Sequence, residues 1–179
     1  MKRFKVLITD NISRGGIEIL EREGDIDVDI KAGIKSDELK KVIGDYDALI
    51  TRSGTTITAS LLENPGKLRI IGRAGVGIEN INVEAASKKG IIVMNAPTGN
   101  TLAATELTLG IMLAAARKIP LANNSLKEGK WDRKRFMGIQ LYNKMLGIVG
   151  LGRIGSAFAI RAKSFGMKVI AYDPYIKKS

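Results

Sequence analysis

Residues Lys144–Pro174, KMLGIVGLGRIGSAFAIRAKSFGMKVIAYDP, contain an apolar run, three glycines spaced G-x-G-x-x-G, a segment of helical period and a second apolar run ending on an acid. Gly150 permits a tight turn, Gly152 lets backbone N–H groups approach a pyrophosphate, and Gly155 lets the next helix pack close to the preceding strand. That helix, SAFAIRAKSFG, closes at Gly166, and its N-terminus offers unpaired N–H groups and the positive end of its dipole. The strand KVIAYD then delivers Asp173, with Pro174 beside it, about 20 residues beyond the loop, where a carboxylate accepts from ribose hydroxyls. A glycine fingerprint alone is a weak signal, but strand, loop, helix, strand and acid in register read as the first β-α-β of a dinucleotide site. An acid at position 173 repels a 2′-phosphate, which favours NAD over NADP; Lys177 and Lys178 pull the other way without reversing the preference.

Upstream, short β-branched or aliphatic runs recur: FKVLIT (Phe4–Thr9), IDVDI (Ile26–Ile30), DALIT (Asp47–Thr51), LRIIGR (Leu68–Arg73) and GIIVMN (Gly90–Asn95). Segments of helical period separate them, with Ser13, Ser36 and Thr58 as helix N-caps and Gly24, Gly44 and Gly66 where helices end. Strand alternating with helix predicts an α/β fold with a parallel, flavodoxin-like sheet. From Asn100 the pattern becomes one long amphipathic stretch ended by Pro120, then a polar segment of poor periodicity. We therefore expect a domain over 1–97, a boundary near Pro97, and a hinge helix with an incomplete nucleotide-binding domain over 98–179. The Ala- and Leu-rich helix is apolar on much of its circumference, so it is expected to be buried between two domains or two subunits.

The chain of 179 residues has no cysteine and no histidine. Disulfides, thiolate chemistry and nitrogen- or sulfur-ligated metal sites have no residues to draw on. The net charge of +11 comes from 29 Lys and Arg scattered along the chain. Without an aromatic stacking platform they do not make a nucleic-acid surface. The apolar run Leu107–Ala116 is too short to span a bilayer, and Asp10 interrupts the N-terminus where a signal peptide would run on, so a cytoplasmic protein is expected.

Three blocks carry a resemblance: IIGRAGVGIENINVEAASKKGIIVMNAPTGNT (Ile70–Thr101), SLKEGKWDRKRFMG (Ser125–Gly138) and LGIVGLGRIGSAFAIRAKSFGMKVIAYDP (Leu146–Pro174). Together they resemble the D-isomer-specific 2-hydroxyacid dehydrogenases, with GKWDRKRFMG pointing to the phosphoglycerate branch. The match runs from Val6 to Pro174. It implies a substrate domain, a hinge helix and an NAD-binding domain, acting on a small anionic 2-hydroxy or 2-oxo acid. In that branch the reaction is oxidation of D-3-phosphoglycerate to 3-phosphohydroxypyruvate, the entry to serine synthesis.

The resemblance further implies that Arg52, Ser53 and Gly54 meet the substrate's phosphate and carboxylate side, with Arg73 as a second phosphate partner. The N–H groups of Val76 and Gly77 meet the carboxylate, and Asn100 closes the site. Val76 stands where many relatives have threonine, so a hydroxyl contact to the cofactor is missing. Arg153 and Ile154 line the pyrophosphate, and Arg133, Lys134 or Arg135 reach the active site of a neighbouring subunit in a homodimer or homotetramer. Taken without the resemblance, strand-end arginines such as Arg52 and Arg73 are as well read as solvated or salt-bridged cations, and Arg133–Arg135 as a solvated patch.

The family's acid–base histidine has no counterpart here, nor do its carboxylate partner and its carboxylate-holding arginine, so no catalytic residue is expected in this chain. The expected reading is the N-terminal portion of a longer dehydrogenase, inactive alone. Two alternatives stay open: a non-catalytic, dimerising nucleotide-sensing module, and a related enzyme acting on glyoxylate or hydroxypyruvate.

Overall fold

The computed structural model describes residues 3–176, so Lys177 and Lys178 lie outside the described residues. The chain divides into two compact units, Met1–Gly99 and Asn100–Ser179.

The first unit is built on five strands: β1 (Phe4–Ile8), β2 (Ile26–Ile30), β3 (Ala48–Thr51), β4 (Ile70–Arg73) and β5 (Ile92–Asn95). They pair in parallel in the order β2-β1-β3-β4-β5, the flavodoxin-like arrangement. Register sets the faces. Leu7, Leu49, Ile71 and Val93 lie side by side across β1, β3, β4 and β5, and the period of two puts all four on one face. Leu39 and Ile43, with Leu61, Leu62, Ile81 and Ala86, complete a core against that row. Fully burying each leucine or isoleucine contributes about 1.5–3 kcal/mol. Helices α1 (Arg14–Glu21), α2 (Ser36–Val42) and α3 (Val83–Lys88) supply the crossovers.

Local chemistry departs from expectation in three places. Ser13 holds the N-cap position of α1 but its hydroxyl makes no capping hydrogen bond, and Lys35 is the N-cap of α2 with Ser36 its first residue. Thr58 starts no helix: its Oγ1 accepts from Leu61 N–H at 3.2 Å, and Leu62 N–H bonds back to Thr58 and Ala59 in successive turns. The run before Pro65 is too short to propagate, and a hydroxyl at its head offers the backbone a turn instead. Gly44 lies inside a single 3-10 turn, Ile43–Asp45, not beyond a helix end.

The second unit contains α4 (Thr101–Ala116), α5 (Ile119–Lys127), β6 (Met145–Val149), α6 (Arg153–Ser164) and β7 (Lys168–Tyr172), with β6 and β7 paired in parallel. Pro120 does not end the long helix. Helix α4 stops at Ala116, Lys118 takes a left-handed φ of 55°, and Pro120 sits in the first turn of α5. There its missing N–H costs nothing and its fixed φ suits the helix. The segment read as aperiodic thus begins with a helix. Within this unit α4 packs against α6 and α5 and leaves Leu102, Leu107 and Ile111 more than half exposed. No helix among the described residues is long and apolar enough to cross a membrane.

Candidate functional site

In an open parallel sheet, ligands meet the loops beyond the carboxyl ends of the strands, at the point where strand order reverses. In the first unit that point lies between β1 and β3. Just past β1, the Asp10 carboxylate takes Arg52 N–H at 2.6 Å and Thr51 Oγ1–H at 2.8 Å, both on Oδ2. Burial raises the Asp10 pKa, and hydrogen bonds from Arg52, Thr51 and Thr55 more than offset it, leaving the carboxyl below its ordinary value. Gly54 lies against the same carboxylate, close enough that a Cβ there would overlap Oδ1. From the β4–α3 connection, Asn80 Nδ2 donates to the carbonyls of Arg52 at 2.7 Å and Thr55 at 2.6 Å. The Arg52 guanidinium donates to the Asn11 carbonyl at 3.2 Å.

Arg73 ends β4. Its Nε is buried with no hydrogen-bond partner, and its guanidinium presses on Gly75, where a Cβ would overlap Nη1. A buried guanidinium N–H without an acceptor is costly, and such groups in native proteins usually have one. The Val76 carbonyl accepts from Asn95 Nδ2 at 2.6 Å, and Gly77 lies against the Glu79 carboxylate. Among the described residues the N–H groups of Val76 and Gly77 have no backbone or side-chain acceptor. Arg52, Ser53, Gly54, Arg73, Val76 and Gly77 thus all fall at one edge of one sheet. Sequence reading passed over Asp10, Thr51, Asn80 and Asn95, the residues that hold them there. The signal available was an acid ending the β1 run FKVLITD.

In the second unit, Gly150 takes a φ of +92°, and its N–H bonds the Tyr172 carbonyl at 2.7 Å. A Cβ on Gly155 would overlap the Gly150 carbonyl oxygen and touch Ile148 Cγ2. Gly152 is the N-cap of α6 and faces open space on its Cβ side. Arg153 and Ile154 form the exposed first turn of α6. Asp173 bridges strand and loop: Oδ2 accepts from Leu151 N–H at 2.8 Å and Oδ1 from Tyr175 N–H at 2.9 Å. Each carboxylate oxygen keeps a lone pair for a hydroxyl, and Pro174 is exposed beside it. A loop whose second glycine opens outward, at a helix N-terminus with an acid alongside, fits a pyrophosphate and its ribose.

Asn100 is the N-cap residue of α4, its carbonyl taking Ala104 N–H at 2.9 Å. Arg133 lies 5.9 Å over the Trp131 ring and Arg135 5.6 Å over Phe136. These three residues belong to the second unit.

The model of the D-isomer-specific 2-hydroxyacid dehydrogenase catalytic domain matches residues 6–172. The chain belongs to that family. Among its family relatives is a D-3-phosphoglycerate dehydrogenase from Methanocaldococcus jannaschii, 55% identical over 174 residues, 97% of this chain and 33% of that protein. The human D-3-phosphoglycerate dehydrogenase is 49% identical over 96% of this chain and 32% of its own length. The chain therefore spans about a third of the curated dehydrogenases it matches. In solved structures, a protein from Thermus thermophilus superposes with a TM-score of 0.87 at 31% identity, over 97% of this chain and 57% of that one. An NAD+-bound 3-phosphoglycerate dehydrogenase from Entamoeba histolytica gives 0.74 at 31% identity, over 98% and 56%.

Proposed function

We propose that these 179 residues supply the substrate-recognition unit and the pyrophosphate loop of an NAD-dependent dehydrogenase that oxidises D-3-phosphoglycerate to 3-phosphohydroxypyruvate. The observation that carries the reading is the row of unanswered donors at one sheet edge: the buried Arg73 Nε and the Val76 and Gly77 N–H groups. Donors in that setting suit an oxyanion, and arginine forks pair with phosphate and carboxylate oxygens.

In this reading Arg52 and Arg73 take the phosphate side with Ser53 and Gly54, and Val76 and Gly77 take the carboxylate through their backbones. Asn100 closes the site, and Arg133 and Arg135 serve the partner's site in a dimer or tetramer. Gly150, Gly152, Gly155, Arg153 and Ile154 cradle the pyrophosphate, and Asp173, with Pro174, takes the ribose. NAD, when bound, supplies the hydride acceptor for the carbon bearing the substrate hydroxyl. The chain's own residues bind and orient; with no histidine or cysteine among them, the hydroxyl proton is assigned to none, and the chain alone turns nothing over. The 55% relative supports the substrate, the Entamoeba structure the cofactor.

The absence of histidine also favours a second reading, a non-catalytic nucleotide-sensing module. Calorimetric titration separates the two. The dehydrogenase reading expects D-3-phosphoglycerate to bind, D-glycerate to bind at least about tenfold more weakly, and Arg73→Gln to erase that difference, a lost charged hydrogen bond being worth about 1.5–3 kcal/mol. Equal affinity for the two acids, or none for either beside normal nucleotide binding, contradicts it.

A further inference from the structure

We propose that Asp10 is a positioning residue that pre-organises the loop Thr51–Thr55 for its anionic ligand, an inference that rests on reading that loop as part of the substrate site. Asp10 stands beyond β1, where strand order reverses, and reaches the loop beyond the neighbouring strand β3.

The two peptide groups of Arg52 are gripped from opposite sides. Its N–H goes to Asp10 Oδ2 at 2.6 Å and its C=O takes Asn80 Nδ2 at 2.7 Å. The guanidinium is tied to the carbonyl of Asn11, the residue after Asp10. Thr51 adds a hydroxyl to the same carboxylate oxygen at 2.8 Å, and Gly54 has no side chain that would part the loop from it. A free arginine loses up to about 2 kcal/mol of rotamer freedom when ordered, on top of backbone entropy. Here that ordering precedes the ligand, which lowers the cost of binding.

The charge argues the same way. A carboxylate beside an oxyanion site repels the ligand, so Asp10 gains its place only through the donors it holds. Its Oδ2 lone pairs point at the chain's own N–H and hydroxyl groups, and the lowered pKa of the carboxyl reflects those bonds. Removing the side chain therefore has opposite consequences under the two roles. A bystander charge, once deleted, lets the anion bind more tightly; a positioning residue, once deleted, loosens the loop and weakens binding.

The test uses the 179-residue chain, with D-3-phosphoglycerate as the calorimetric probe and amide exchange by NMR as the second readout. Asp10→Ala is expected to lower affinity about tenfold, the loss of one or two charge-assisted hydrogen bonds. Asp10→Asn, which keeps the shape and one acceptor oxygen, is expected to fall between. In both variants the Arg52 amide exchanges faster while those of Leu49 and Ile71 keep their protection. Unchanged or tighter binding by Asp10→Ala overturns the proposal and leaves the substrate reading standing. If the wild-type chain does not bind the probe, the substrate reading fails, and exchange decides: an unaltered Arg52 amide in both variants overturns the positioning role, and selective loss of its protection upholds it.

Discussion

Two alanines placed three residues apart in the glycine loop should separate folding from cofactor binding. A Cβ on Gly155 would overlap the Gly150 carbonyl oxygen and touch Ile148 Cγ2 at 3.4 Å. The first of these is backbone, so no rotamer change relieves it, and α6 must draw back from β6, loosening the packing of its own buried residues Phe158 and Ala162. Overpacking of this kind costs about 1–3 kcal/mol, or roughly 5–15 °C in Tm for a unit of this size. Gly152, at φ −73° with nothing within 4 Å of its Cβ position, should accept a methyl within about 0.5 kcal/mol. That methyl nonetheless stands at the mouth of the loop and keeps a pyrophosphate from the N–H groups of the first turn. NADH binding, followed by nucleotide fluorescence, should fall about tenfold or more in Gly152→Ala with Tm unchanged. Gly155→Ala should lower both. An unshifted Tm in Gly155→Ala, or wild-type NADH affinity in Gly152→Ala, would refute the reasoning.

Asp173→Arg should shift preference toward NADPH in the same fluorescence titration, and an unaltered preference would remove Asp173 from the ribose site. Tyr46 is only 6% exposed and donates to Asp29 Oδ2 at 2.9 Å; burial, that bond and the charges of Asp29 and Asp45 push its pKa up to about 12. A raised folded pKa gives stability that is complete below about pH 10 and lost as pH rises through 12. Denaturation curves should therefore show an alkaline decline that Tyr46→Phe flattens. Asp10 works with the opposite sign: its lowered pKa stabilises the fold above about pH 4, and that share should fade on acidification in the wild type but not in Asp10→Ala.

The sheet was legible because its strands recur as short β-branched or aliphatic runs between helical segments, and IDVDI, Ile26–Ile30, matches the edge strand β2 end to end. The glycine loop was legible because each glycine answers a backbone requirement that sequence spacing preserves. Thr58 misled because a hydroxyl before an apolar run signals a helix start and an isolated turn equally well, and only the distance to Pro65 decides. Pro120 misled because proline ends one helix and opens another with the same ring. The roles of Asp10, marked only as an acid ending its strand, and of Asn80 were hidden for another reason. Their partners lie 42 and 28 residues away along the chain, and only the pairing of β1 with β3 brings the first of these together. The buried, unpartnered Nε of Arg73 likewise exists only once Gly75 has turned the chain back against it.

The most direct test of the central claim is a rate. These 179 residues, fused to the remaining chain of the 55% identical Methanocaldococcus jannaschii relative, should oxidise NADH with 3-phosphohydroxypyruvate at a kcat/KM at least about tenfold above that for hydroxypyruvate, one phosphate-arginine contact being worth about that factor. Arg73→Gln should erase the difference, and the 179 residues alone should show no turnover. Equal rates with the two oxo acids, or turnover by the chain alone, would contradict the account.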